Sequence, residues 1–295
     1  MLLALGACGR FGFREYPELG DGGHHGDLDS DSIDAPSTCI GTGTFTNLQK
    51  LANVNSAAYD NGAELSRDGL SLYFNSGSAI VVSTRPTLAD PFSPPAPITE
   101  LMAGGDASDP SVTSDGLEIF FDSFRTNQIC LFRSTRTSLN AAFDAPMELL
   151  ATCSATTASG AAISGDGLTL VYNSTLDSLG EGELYLSHRT SRTDDFPPGT
   201  KLASLPGASG YAWLSADQLR LYFEHTVGGV IGLYSARRIS PSDDFTNVQP
   251  IAELDDGGNS FNVDISMDPT ESVVFFATSR SGMGDDIWSA ERPCL

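Results

Sequence analysis

Ser66-Arg67-Asp68-Gly69-Leu70-Ser71-Leu72-Tyr73-Phe74 decides the fold, because the chain repeats it. A hydroxyl residue two places before an Asp recurs as Thr113-Ser114-Asp115, Ser164-Gly165-Asp166, Ser215-Ala216-Asp217 and Ser266-Met267-Asp268. The steps from Asp to Asp are 47, 51, 51 and 51 residues. A fixed period near this length marks a repeat architecture and outweighs the two-domain prior that 295 residues would otherwise carry.

Each unit reads as four strands. An apolar residue lies three places before each Asp (Leu65, Val112, Ile163, Leu214, Ile265) and belongs to a first strand. The Asp starts a tight turn in which its carboxylate accepts backbone N–H groups. A second strand follows with apolar alternation, as in Leu117-Glu118-Ile119-Phe120-Phe121 and Leu219-Arg220-Leu221-Tyr222-Phe223. A third strand runs into Arg85, Arg136, Arg189, Arg238 or Arg292. The fourth opens on Phe92, Phe143, Phe196 or Phe245, seven residues beyond the closing Arg in all four cases.

The fifth unit has no fourth strand before the chain stops at Leu295. It stands at the other end: Phe45-Thr46-Asn47-Leu48-Gln49-Lys50-Leu51 matches Phe245-Thr246-Asn247-Val248-Gln249-Pro250-Ile251. The sequence therefore predicts an all-β, five-bladed β-propeller of four-stranded blades over residues 44–295. The N-terminal strand joins the last blade, so that no long sheet edge stays open.

Five cysteines fit the same plan. Cys39 and Cys294 would be consecutive positions of the interrupted hairpin, so Cys39–Cys294 is expected as a clasp. Cys130 and Cys153 flank the outer half of the second blade and are expected to pair. The remaining Cys8 ends Leu5-Gly6-Ala7-Cys8, which resembles the close of a bacterial lipoprotein signal and implies lipidation of Cys8. Residues 1–8 are then a signal remnant. Residues 9–43, acidic and Gly-rich without apolar periodicity, are a flexible linker. The location expected is the cell envelope, lipid-anchored on the periplasmic side or the outer-membrane surface, or else secreted. No run of apolar residues is long enough for a membrane-spanning helix.

The repeat resembles the WD40-like β-propeller repeat of the periplasmic TolB family. That family has Ser-Pro-Asp-Gly between its first two strands, an aromatic second strand and a Ser-Asx-Arg, Gly-rich turn before the third. The segment from Phe276 to Trp288, with Ser279-Arg280-Ser281-Gly282, carries the resemblance best. The Pro before the Asp is absent throughout, and the family's six blades and additional N-terminal domain are not matched. The resemblance implies the fold and no particular chemistry.

Charge and motifs narrow the function. A net charge of −22, from 38 acidic and 16 basic residues, repels phosphate backbones and argues against nucleic acid. There is no Gly-x-Ser-x-Gly elbow, no His-Glu-x-x-His run, no Cys-x-x-Cys pair and no phosphate loop, so neither cofactor nor metal is expected and no catalytic residue is assigned. Asp68, Asp115, Asp166, Asp217 and Asp268 could be viewed as an acidic ring. Their spacing puts each in the same turn of a separate blade, which makes them turn caps.

The positions four and six before each Asp vary between repeats and should line the channel: Glu64 and Gly62, Ser111 and Asp109, Ala162 and Gly160, Trp213 and Tyr211, Asp264 and Asn262. Glu64, Asp109, Asp264 and Asn262 with Tyr211 and Trp213 form a candidate ligand site, since carboxylates beside aromatic rings suit a sugar or a cation. The bland alternative makes them solvated channel residues. The leading expectation is a non-catalytic binding or scaffold propeller, monomeric, with a protein or glycan ligand. The rival is a propeller-type glycoside hydrolase with Glu64 and Asp264 as acid and base and Asp109 as modulator.

Overall fold

The structure, a computed structural model, describes residues 40–153, 157–175, 182–255, 265–280 and 284–294. The expectations placed on Cys8, Cys39, Asn262 and Asp264, on the signal remnant and on the linker up to residue 39 lie outside the described residues.

The short apolar alternations form antiparallel strands. β1 (Thr46–Lys50) comes first. Blade one follows as β2 (Asp60–Leu65), β3 (Ser71–Ser76), β4 (Ala79–Thr84) and β5 (Ala96–Pro97). Blade two is β6 (Ser108–Val112), β7 (Glu118–Ser123), β8 (Cys130–Thr135) and β9 (Met147–Glu148). Blade three is β10 (Ala158–Ile163), β11 (Thr169–Ser174), β12 (Glu183–His188) and β13 (Thr200–Lys201). Blade four is β14 (Ser209–Leu214), β15 (Arg220–Val227), β16 (Val230–Arg237) and β17 (Thr246–Pro250). Blade five takes β18 (Ile265–Met267), β19 (Val273–Thr278) and β20 (Asp286–Glu291), and its outer strand is β1. The molecule is a five-bladed propeller. Each inner strand packs on the next, and β18 returns to β2.

Closure repeats the register of an uninterrupted blade. Thr46 faces Glu291 and Lys50 faces Trp288, as Thr246 faces Arg237 and Pro250 faces Tyr234. Both strands bulge at an Asn in the left-handed region, Asn47 (φ 54°) and Asn247 (φ 55°). Beyond the strand, Gly41 bridges to Cys294, and the Thr42 amide donates to the Pro293 carbonyl at 2.8 Å. Cys294 is disulfide-bonded. The expected partner Cys39 is outside the described residues.

One clamp recurs in every blade. The guanidinium carbons of Arg85, Arg136, Arg189 and Arg238 stand 4.4–4.6 Å from the ring centroids of Phe92, Phe143, Phe196 and Phe245. Each Nε donates at 2.7 Å to the carbonyl of a left-handed residue in the first turn: Gly69, Gly116, Gly167 and Gln218. In blade five Arg292 does the same with Phe45 at 4.5 Å and Glu271 O at 2.6 Å. The clamp ties the outer strand to the inner hairpin and places the buried Phe rings between blades.

The turn chemistry is equally regular in four blades. The hydroxyls of Ser66, Thr113, Ser164 and Ser215 donate to the following Asp at 2.5–2.7 Å. The same oxygens accept the amides of Ser71, Glu118, Thr169 and Arg220. Asp68, Asp115, Asp166 and Asp217 each take the Leu amide two residues on.

Blade five departs from the expected register. There Asp268 replaces the hydroxyl: its Oδ1 accepts the Val273 amide at 2.6 Å, and Thr270 stands where the other blades have Asp. Glu271 (φ 55°) takes the place of Gly69. The turn thus sits two residues later than the Ser-x-Asp match suggested. A carboxylate and a hydroxyl serve equally as acceptor at that position, so the Ser266 motif was a coincidence of composition.

Candidate functional site

The two-residue slip changes which blade-five residue matches Glu64. Glu64, Ser111, Ala162 and Trp213 lie two places before their turn hydroxyls, and in blade five that place belongs to Ser266 rather than Asp264. Glu64 is 8% exposed. Its Oε1 accepts from Ser111 Oγ and the Val112 amide, both at 3.3 Å, and its Oε2 accepts from Ser266 Oγ at 3.1 Å. Ser266 Oγ in turn accepts the Leu65 amide, and Ser111 Oγ the Ile163 amide. A single carboxyl group therefore joins blades five, one, two and three. Burial pushes Glu64 up to about 7 in spite of its three donors.

The channel leaves little room around it. The cavity on one side of Glu64 measures about 30 Å³ and that on the other about 60 Å³. These volumes hold one or two waters each. Glu64, Asp109 and Tyr211 share the smaller cavity, whereas Trp213 lines the larger and rests 5.8 Å from the Tyr222 ring. The two aromatic residues therefore do not make one platform. Asn262 and Asp264 are outside the described residues.

The positions six before the turn Asp carry a backbone role that sequence reasoning missed. Gly62 (φ 66°), Asp109 (φ 51°), Gly160 (φ 59°) and Tyr211 (φ 32°) all sit at a bulge in the inner strand. A side chain on Gly62 would meet Asn75 and Asp109. The Asn75 amide explains why: its Nδ2 donates to Asp109 Oδ1 at 2.9 Å while its Oδ1 accepts the Asp109 amide at 2.8 Å. Desolvation raises Asp109 against the bonds from Asn75 and Asp122.

Ligand-sized space lies between blades. The seam between blades two and three is closed by Arg189 and Arg192, which donate to Glu118 at 2.6 and 2.9 Å, and by Arg192 on Asp115. The seam between blades four and five is closed by Glu271, which accepts from Arg220 and Tyr222 at 2.6 Å and Arg292 at 3.3 Å. At the seam of blades five and one the corresponding residues are Val273, in the place of Glu118, and Leu88, in the place of Arg192. A cavity of about 870 Å³ opens there, over Leu51, Val54, Leu65, Phe92, Val273 and Phe275. Ser71 and Leu139 hold those places between blades one and two, with about 290 Å³. The signal was present in the sequence, as an apolar residue three beyond the clamp Arg, but its meaning needs the neighbouring blade.

Among the described residues, the grouping of potential metal ligands is Cys130, Glu148 and Cys153, whose sulfurs are joined in a disulfide.

With this geometry the chain belongs to the class of five-bladed propellers. Its likenesses are of fold. It is similar to a TolB-like protein of Agrobacterium tumefaciens (13% identity, 84% of this chain and 86% of that one, TM-score 0.52). It is also similar to TolB of Acinetobacter baumannii (15%, 81% of this chain and 56% of that one, 0.51), of whose length it spans about half. The α-L-arabinofuranosidase of Podospora anserina is as near in shape (12%, 85% and 96%, 0.54). No family profile and no curated protein sequence matches the chain. Identities this low carry the propeller and neither chemistry.

Proposed function

We propose that the protein is a non-catalytic binding or scaffold propeller of the bacterial cell envelope. Lipidated Cys8 holds it to a membrane, the acidic segment that follows spaces it from the surface as far as Gly41, where the chain joins the propeller, and a monomer takes a protein or glycan ligand. The supporting observation is the narrowness of the channel: its buried carboxyl, Glu64, is bonded to Ser111 and Ser266 of the neighbouring blades, and the cavities on either side of it, about 30 and 60 Å³, have room for water. Among the described residues no helix is long and apolar enough to cross a membrane.

The rival reading, a glycoside hydrolase working through Glu64 and Asp264, has one observation in its favour: a carboxyl raised to about 7 is what a general acid needs. A glycosidic bond must also reach that carboxyl, and cavities of about 30 and 60 Å³ do not admit a sugar ring. The test is to incubate the full chain with arabinoxylan, other polysaccharides and aryl glycosides, and to titrate it with glycans and peptides by calorimetry. Saturable binding without turnover is expected. Hydrolysis that is lost in Glu64→Gln would overturn the proposal.

A further inference from the structure

The seam between blades five and one lacks the guanidinium–carboxylate bridge that fills the seams of blades two and three and of blades four and five; relative to the former it has Val273 in the place of Glu118 and Leu88 in the place of Arg192. The seam of blades one and two lacks the bridge too, but opens only about 290 Å³. The cavity left there is lined by Phe92 and Phe275, themselves only 6% and 3% exposed, whose rings meet edge to face at 6.0 Å. At about 870 Å³ the space lies within the range that binds ligands of a few residues.

The rim has a sign. Asp68, Asp90, Asp268 and Glu291 border the cavity along with Lys50, Arg67 and Arg85. Lys50 is paired at 2.7 Å with Asp286, which is not part of the border. Arg85 turns its Nε to Gly69 O, its Nη1 to Leu88 O and its face to Phe92, so its donors point into its own blade. Asp68 receives only neutral donors, Ser66 Oγ and the Leu70 amide, and keeps its charge. With Lys50 paired to Asp286, four carboxylates of the border stand against Arg67 and Arg85, and on a chain of net charge −22 this apolar-lined cavity favours a cationic and partly apolar occupant.

We infer that this seam is the docking groove for a short basic peptide segment of a partner protein. Its apolar side chains enter over Phe92 and Phe275, and its Lys or Arg side chains face Asp90 and Glu291. This rests on the binding-propeller reading and names the site and ligand class for it.

The experiment uses the full chain and a fluorescein-labelled heptapeptide that alternates lysine with leucine and phenylalanine. Its counterpart with glutamate in place of lysine is the control. Anisotropy should show saturable binding of the basic peptide, and binding of the acidic one weaker by about tenfold or more. The pair Leu88→Arg and Val273→Glu copies the bridge of Arg192 and Glu118 into the groove. It should abolish binding with the melting temperature kept or raised. Asp90→Lys with Glu291→Lys leaves the volume and reverses the rim, and should reduce affinity by roughly tenfold. Equal binding of both peptides, or wild-type affinity in the bridged variant, would overturn the groove. In either case glycan or peptide binding elsewhere would leave the general reading intact, whereas glycan hydrolysis removes that reading itself.

Discussion

The guanidinium of Arg292 stands 4.5 Å from the centroid of the Phe45 ring, although the two residues belong to opposite ends of the propeller. The same contact joins Arg238 to Phe245 at 4.4 Å within one continuous hairpin. The chain thus closes its ring with the pair that it uses inside each blade. Its outer half comes from the N-terminal segment.

Phe45 is 3% exposed and packs among Leu254, Val274 and Ala290. Phe45→Ala should therefore cost about 3–5 kcal/mol, the range for emptying a buried aromatic site. Urea denaturation followed by tryptophan fluorescence checks this. An unchanged midpoint would show that β1 is dispensable for closure. Phe143→Ala, within an uninterrupted blade, should cost a similar amount, because it removes the same clamp.

Glu64 gives the molecule an unusual pH dependence. Its carboxyl is raised from 4.5 to about 7 by burial, so between those values the native state holds a proton that the unfolded chain releases. Stability from this group is present below pH 4.5, falls as pH rises toward 7 and is flat above. Such a shift corresponds to about 3 kcal/mol at most. Glu64→Gln should remove that slope and make the protein more stable above pH 7, by about 1–3 kcal/mol. Melting temperatures from pH 4.5 to 8 in both proteins decide the matter, and parallel curves would falsify the assignment.

What the sequence made legible was whatever repeats locally. Ser66, Asp68 and Gly69 form a turn from contacts within five residues, so four copies can be recognised without the fold. The seven-residue interval between Arg and Phe was legible for the same reason, and the match of Phe45–Leu51 to Phe245–Ile251 located Phe45. The fifth turn was misread because Asp268 and Ser266 both satisfy the written pattern, while only backbone pairing shows that Asp268 receives the Val273 amide. That slip put Asp264 where Ser266 stands. Gly62 and Gly160 do border the channel cavity, as their spacing suggests, but variation between repeats cannot show the left-handed φ that they share with Asp109 and Tyr211. The seams were illegible, since Arg192 meets Asp115 across 77 residues and no local pattern announces the pair.

Glu118 holds the second seam and should be the most sensitive charged residue there. It is 5% exposed, and the Arg189 side chain bonded to it is wholly buried. Removing the carboxylate strands a buried cation, which typically costs about 3–5 kcal/mol. Glu118→Ala should destabilise the protein by that amount, whereas Arg192→Ala, whose guanidinium is a third exposed, should cost about 1 kcal/mol. Denaturant titrations in low and high salt separate the two. The Arg192 effect should shrink with salt, and the Glu118 effect should persist because the buried pair is screened little. Equal costs for both variants would mean that the bridge acts as one surface contact.

The Cys130–Cys153 disulfide closes a loop of 23 residues that contains the outer strand of blade two. Both residues are buried, with Cys153 also tied through its carbonyl to Gln128 Nε2 at 2.8 Å. In the chain-entropy account a loop of this length stabilises by about 3 kcal/mol, through the freedom that it removes from the unfolded chain. The double variant Cys130→Ala, Cys153→Ala should therefore melt several degrees lower than the parent without reductant, and the difference should largely vanish with reductant, which opens the Cys130–Cys153 bond of the parent. The parent protein in reductant should lose at least as much, since Cys294 is also disulfide-bonded. A parent that melts identically with and without reductant, after its thiols have been shown to be free, would mean that blade packing alone holds β9 in place.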